Sequence, residues 1–97
     1  MAYDPGAIDA TLAAAVGDEP ALIAELREAF LDGVERCVEA LKSAESTDSW
    51  QAAALRLKGL AASFGAVRLM ALASEAAEST VLDAALLRRV ARAAARL

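Results

Sequence analysis

The chain has 97 residues, of which 58% are hydrophobic and only 4% aromatic, and its ten Lys and Arg against fourteen Asp and Glu give a formal net charge of -4. That length is one domain, residues 1–97, with room for one modest core, and the acidic balance argues against a general nucleic-acid binder, which needs a basic surface. No uninterrupted apolar run reaches the roughly 18 residues of a membrane span, and the opening MAYDPGAID has neither the basic nor the apolar stretch of a signal peptide. The expectation is a cytoplasmic protein with no membrane partner, either free-standing or cut from a longer kinase.

A core of Ala, Leu and Val suits closely packed helices, and the usual strand formers are scarce. Asp4-Pro5 reads as an N-cap followed by proline at the first helical position, and Gly17 stops that short helix after about Val16. Asp18 is the expected cap of a long second helix with Pro20 in its first turn. Leu22, Ile23, Leu26, Phe30, Val34, Cys37, Val38 and Leu41 recur along it at helical spacing, to about Ala44. Cys37, the single cysteine, falls on that apolar stripe and reads as a buried thiol rather than a nucleophile.

After the polar break at residues 45–48, Ser46 or Thr47 is expected to cap a third helix whose apolar face is Trp50, Ala53, Ala54, Leu57, Leu60, Ala61 and Phe64. Gly65 ends or bends it. A fourth helix carries Val67, Leu69, Leu72, Ala73 and Ala76. Thr80-x-x-Asp83 reads as a capping box that opens a fifth helix, with Leu86, Val90 and Leu97 spaced along it. Short connections make neighbouring helices antiparallel, so the expected architecture is all-α: an antiparallel up-down four-helix bundle with a short N-terminal capping helix.

One feature of the third helix stands against its own periodicity. At 100° per residue, Leu55 lies about 170° from the centre of the apolar face, where water should be. Its neighbours there are Gln51, Ala52, Lys58, Gly59 and Ala62. Gly59 costs the helix about 1 kcal/mol relative to alanine, and close approach of another body to the backbone is one compensation. A single exposed leucine is also ordinary on a protein surface.

The run Leu55-Arg56-Leu57-Lys58-Gly59, followed after five residues by Gly65-Ala66, resembles the signature of the histidine-containing phosphotransfer (HPt) domains. That signature reads His, any residue, Leu, Lys, Gly, then about five residues to Gly-Ala. Leu57, Lys58, Gly59, Gly65 and Ala66 match by type and spacing, and Leu69 and Glu78 fit the apolar and acidic positions that follow. The helix order and chain length fit as well. The departure is Leu55, which stands where the family has its phospho-accepting histidine, and the chain contains no histidine at all. Leucine has no lone pair with which to attack an aspartyl phosphate. A natural leucine and a replaced histidine read alike in the sequence.

The resemblance implies docking without phosphotransfer: a pseudo-HPt that binds a response-regulator receiver domain or a histidine kinase through helices two and three. Lys58 would serve as a rim charge, and Gly59 would leave room for the partner's loops. The expected docking residues are Gln51, Ala52, Leu55, Arg56, Lys58, Gly59, Ala62 and Ser63, with no catalytic residue, cofactor or metal. The alternative is an interaction or dimerisation module unrelated to phosphorelay, using the Arg-rich last helix with Arg88, Arg92 and Arg96 on one face. The bland reading of those arginines is a solvated face that complements the helix dipole. An enzyme is the least favoured reading: there is no histidine for acid–base work, no Cys/His metal spacing and no phosphate-cradling loop.

Overall fold

The computed structural model describes the backbone of residues 5–17 and 19–97, and the side chains of residues 8, 10–17 and 19–97. Five helices follow in order: α1 (Pro5–Val16), α2 (Pro20–Ser43), α3 (Thr47–Ser63), α4 (Val67–Glu78) and α5 (Ala84–Ala95). There is no strand among the described residues. Helices α2 to α5 close a ring of neighbours, with α3 against α2 and α4, and α5 against α4 and α2. Helix α1 packs on α2 and contributes Ile8 and Leu12 to the common core. No helix among the described residues is long and apolar enough to cross a membrane.

The helix ends follow local chemistry. Gly17 takes φ +79° and its N–H donates to Ala13 O, closing α1. The expected caps Asp4 and Asp18 lie outside the described residues. Helix α2 starts behind Glu19, which gives no side-chain cap bond, with proline at the start of the helix. At α3, Ser46 is the N-cap: its hydroxyl accepts from Ser49 N–H at 3.1 Å, and the Ser49 hydroxyl accepts from Ser46 N–H at 3.3 Å. This reciprocal pair satisfies two orphan donors. At the other end Gly65 adopts φ +74°, its N–H donates to Ala62 O, and Ala66 N–H donates to Ala61 O at 2.9 Å. That is a Schellman turn, which needs the left-handed residue glycine supplies; it stops α3 rather than bending it.

Two expectations about the later helices change. The fifth helix is opened by Asp83 itself, whose carboxylate accepts from Leu86 N–H at 3.0 Å. Thr80 caps nothing; its carbonyl accepts instead from the Thr47 hydroxyl at 3.5 Å. An aspartate immediately before the helix is a stronger cap than a threonine three residues earlier, so the helix begins later than the box predicts. Val67, grouped by the sequence with the apolar residues of α4, is 68% exposed. It is the first residue after the Gly65 turn, and the turn points it outward before the inward rhythm of Leu69, Leu72, Ala73 and Ala76 begins.

The core is dense in alanine. Ala53, Ala54 and Ala61 of α3 and Ala73 and Ala76 of α4 are fully buried. Small side chains let two helices approach closely, and the α3–α4 contact is the most extensive among the described residues. Trp50 fills the space beside them, and its indole N–H donates to Ala76 O at 2.8 Å. The last turn of α3 is pinned to α2 by Phe30 and Phe64, ring centroids 4.6 Å apart. No charged or polar residue is buried among the described side chains.

Candidate functional site

Packing of α3 between α2 and α4 turns Trp50, Ala53, Ala54, Leu57 and Ala61 inward. The opposite face is therefore presented outward by geometry alone. Leu55 lies on it with 57% of its surface exposed, and Ala52, Lys58, Gly59 and Ala62 are exposed beside it. These five residues recur at helical spacing and form one strip. Among the described residues no carboxylate comes within ion-pair distance of Lys58.

The two glycines inside long helices differ in a way that bears on this strip. A Cβ added at Gly33 of α2 would meet Leu60 Cδ2 of α3 at 2.9 Å. Gly33 is thus the seat for Leu60, and internal packing accounts for it. A Cβ added at Gly59 would meet nothing within 4 Å. Nothing in the fold offsets its helix penalty of about 1 kcal/mol.

The other three expected site residues are Gln51, Ser63 and Arg56. Gln51 is half-buried, and its amide N–H donates to Ser79 O at 2.9 Å, tying α3 to the end of α4. Its side chain serves the fold rather than a free rim. Ser63 is exposed, but its hydroxyl donates to Gly59 O at 2.9 Å, one turn back along the helix. Arg56 is exposed on the side of α3 toward α2, near enough for its charge to act on Cys37.

Cys37, expected to be buried, is only half-buried. Desolvation raises its thiol pKa above the ordinary value, and the positive charges of Arg56 and Arg36 pull it partly back. A thiol so held is mostly protonated near neutral pH, which opposes a role as nucleophile. Among the described residues no group of three His, Cys, Asp or Glu side chains is arranged to hold a metal ion.

The structure also exposes apolar residues that periodicity did not single out. Val81 and Leu82, in the connection between α4 and α5, are 61% and 45% exposed. The hydrogen bonds from Thr47 to Thr80 O and from Gln51 to Ser79 O place that connection at the N-terminal end of α3. A capping box at Thr80–Asp83 would put Val81 and Leu82 in a first helical turn; with Asp83 as the cap they stay in the connection. No protein-family model matches the chain, and neither a curated protein nor a solved structure matches it.

Proposed function

We propose that the chain is a pseudo-HPt module: an antiparallel up-down four-helix bundle that docks a response-regulator receiver domain, or a histidine kinase, through the outer face of α3 without carrying phosphate. The observation that carries this is Gly59. It is a mid-helix glycine with open space on its outer side, one turn from the exposed Leu55, which in the proposed resemblance takes the place of the phospho-accepting histidine. A small apolar centre of Leu55, Ala52 and Ala62, with Lys58 and Arg56 at the rim, has the layout of a modest protein interface. The proposed protein works in the cytoplasm as an adaptor or a competitor for the partner and catalyses no reaction.

The test is binding to a panel of receiver and kinase domains, each resting and activated, by calorimetry. Leu55→Asp should abolish or greatly weaken the complex while leaving the fold intact, because exposed substitutions usually change stability by within about 0.5 kcal/mol. Leu55→His, run in a phosphotransfer assay, should accept phosphate if only the nucleophile has been lost. Binding that is unchanged by Leu55→Asp removes α3 from the interface.

A second reading is favoured by charge. Helix α2 exposes Glu25, Glu28, Asp32, Glu35 and Glu39, and α5 exposes Arg88, Arg89 and Arg92. The acidic face of one copy complements the basic face of another, which is the geometry of self-association. Light scattering over a concentration series, with Arg88→Glu and Arg92→Glu together, separates this reading: loss of a dimer in that variant alone favours it.

A further inference from the structure

Five of the ten cationic side chains of this acidic protein, Arg68, Arg88, Arg89, Arg92 and Arg96, belong to α4 and the last helix with its cap. Four of them, all but Arg88, line a single small cavity of about 50 Å³, together with Leu69 and Leu97. The cavity forms where the first turn of α4 lies against the C-terminal half of α5.

The bland account covers three of these four arginines. Arg92 and Arg96 are near the C-terminus of α5, where cations complement the helix dipole. Arg89 has Glu75 of α4 at 3.6 Å. Arg68 has no such account. It lies in the first turn of α4, at the positive end of that helix, where the dipole favours anions and disfavours cations. No side chain caps α4 at Ala66, and the N–H groups of Arg68 and Leu69 precede the first full helical bond, from Met70 N–H to Ala66 O. Among the described residues, Arg68, Arg92 and Arg96 have no carboxylate within ion-pair distance. Four arginines and the start of α4 thus line one concavity, which the C-terminal end of α5 and Leu97 complete.

We propose that this cavity is a binding site for a compact oxyanion of the phosphate class. Its volume holds a few waters or one tetrahedral anion. Guanidinium groups match phosphate oxygens two at a time, and the free N–H groups of a helix start add fixed donors. Bound anion removes the mutual repulsion of the arginines and pairs Arg68 with the charge its position lacks. The site is separate from the outer face of α3 and does not depend on that face binding anything.

The test is a chemical-shift titration of the full chain with inorganic phosphate, and in parallel with phosphoserine as a phosphate monoester, at ionic strength held constant with sodium chloride. Saturable shifts are expected at the Arg68 and Leu69 amides and at the side-chain Nε of Arg89, Arg92 and Arg96. Arg68→Gln and Arg92→Gln should each weaken binding about tenfold or more, the worth of one charged hydrogen bond. Arg88→Gln, on the same helix but outside the cavity, should bind as the parent does. Equal response to both probes assigns a free anion; response to phosphoserine alone assigns the end group of a larger ligand. Shifts spread evenly over Arg36, Arg56 and Arg88, or equal loss in Arg88→Gln, would reduce the effect to general counterion attraction and overturn the site. Arginine signals that move with protein concentration but not with phosphate would overturn it too, since a second copy's carboxylates would then be the occupant.

Discussion

Replacing Gly59 with alanine separates stability from docking. In the middle of α3, glycine is worse than alanine by about 1 kcal/mol, partly because it loosens the unfolded chain. The added methyl meets nothing within 4 Å, so nothing internal offsets the gain. For a domain of this size 1 kcal/mol corresponds to roughly 4–8 °C in Tm. Gly33→Ala is the control. Its methyl would meet Leu60 Cδ2 at 2.9 Å, and turning that leucine off its rotamer costs about 0.5–1.5 kcal/mol, which cancels most of the same propensity gain. Thermal melts followed by far-UV circular dichroism should therefore rank Gly59→Ala clearly above the parent and Gly33→Ala close to it. The Gly59→Ala protein should at the same time bind the proposed receiver or kinase partner more weakly, because the methyl would stand where docking on α3 brings that partner to the helix. A Tm that falls in Gly59→Ala would show that the glycine has an internal role. A Tm that rises with binding untouched would show that no partner approaches it.

The remaining predictions concern the fold that presents the site. Asp83→Ala removes the only side-chain cap of α5 and should cost about 1 kcal/mol in urea unfolding, whereas Thr80→Ala should change stability by under about 0.5 kcal/mol; the opposite order would restore Thr80 as the cap. Trp50→Phe deletes the bond from the indole N–H to Ala76 O and part of a fully buried ring, for an expected loss of about 2–4 kcal/mol by circular dichroism. Cys37, with its pKa raised chiefly by burial, should react with a disulfide reagent more slowly than in the unfolded chain, with a midpoint alkaline of an ordinary thiol. Since the folded pKa is the higher one, the thiol's contribution to stability is fully present below the unfolded pKa and falls as pH rises from there through the folded pKa. A Cys37→Ala variant should lack that alkaline component of the pH–stability curve.

The sequence disclosed the elements whose signals are local. Proline at residue 5 and glycine at residue 17 frame α1, and Gly65 ends α3 because only that turn needs a left-handed residue at that point. The outward position of Leu55 also follows from helical periodicity, since the residues opposite it must face α2 and α4. What escaped the sequence depends on partners distant along the chain. Gln51 looks like a rim residue until the end of α4 is known to offer Ser79 O. Gly33 looks like a mere weak point in α2 until Leu60 is seated on it. Val67 follows the apolar spacing of α4, yet the preceding turn directs it to solvent. The arginine-lined cavity escaped for the same reason: Arg68 lies twenty or more positions from its companions in the chain, and only the packing of α4 on α5 gathers them.

The most direct test of the central claim is an amide chemical-shift titration of the labelled chain with a receiver domain it binds. Docking on the outer face of α3 predicts that the largest changes cluster at Ala52, Leu55, Lys58, Gly59 and Ala62, and that Leu55→Asp removes them. Changes confined to α5, or a chain that perturbs no receiver or kinase domain, would contradict it.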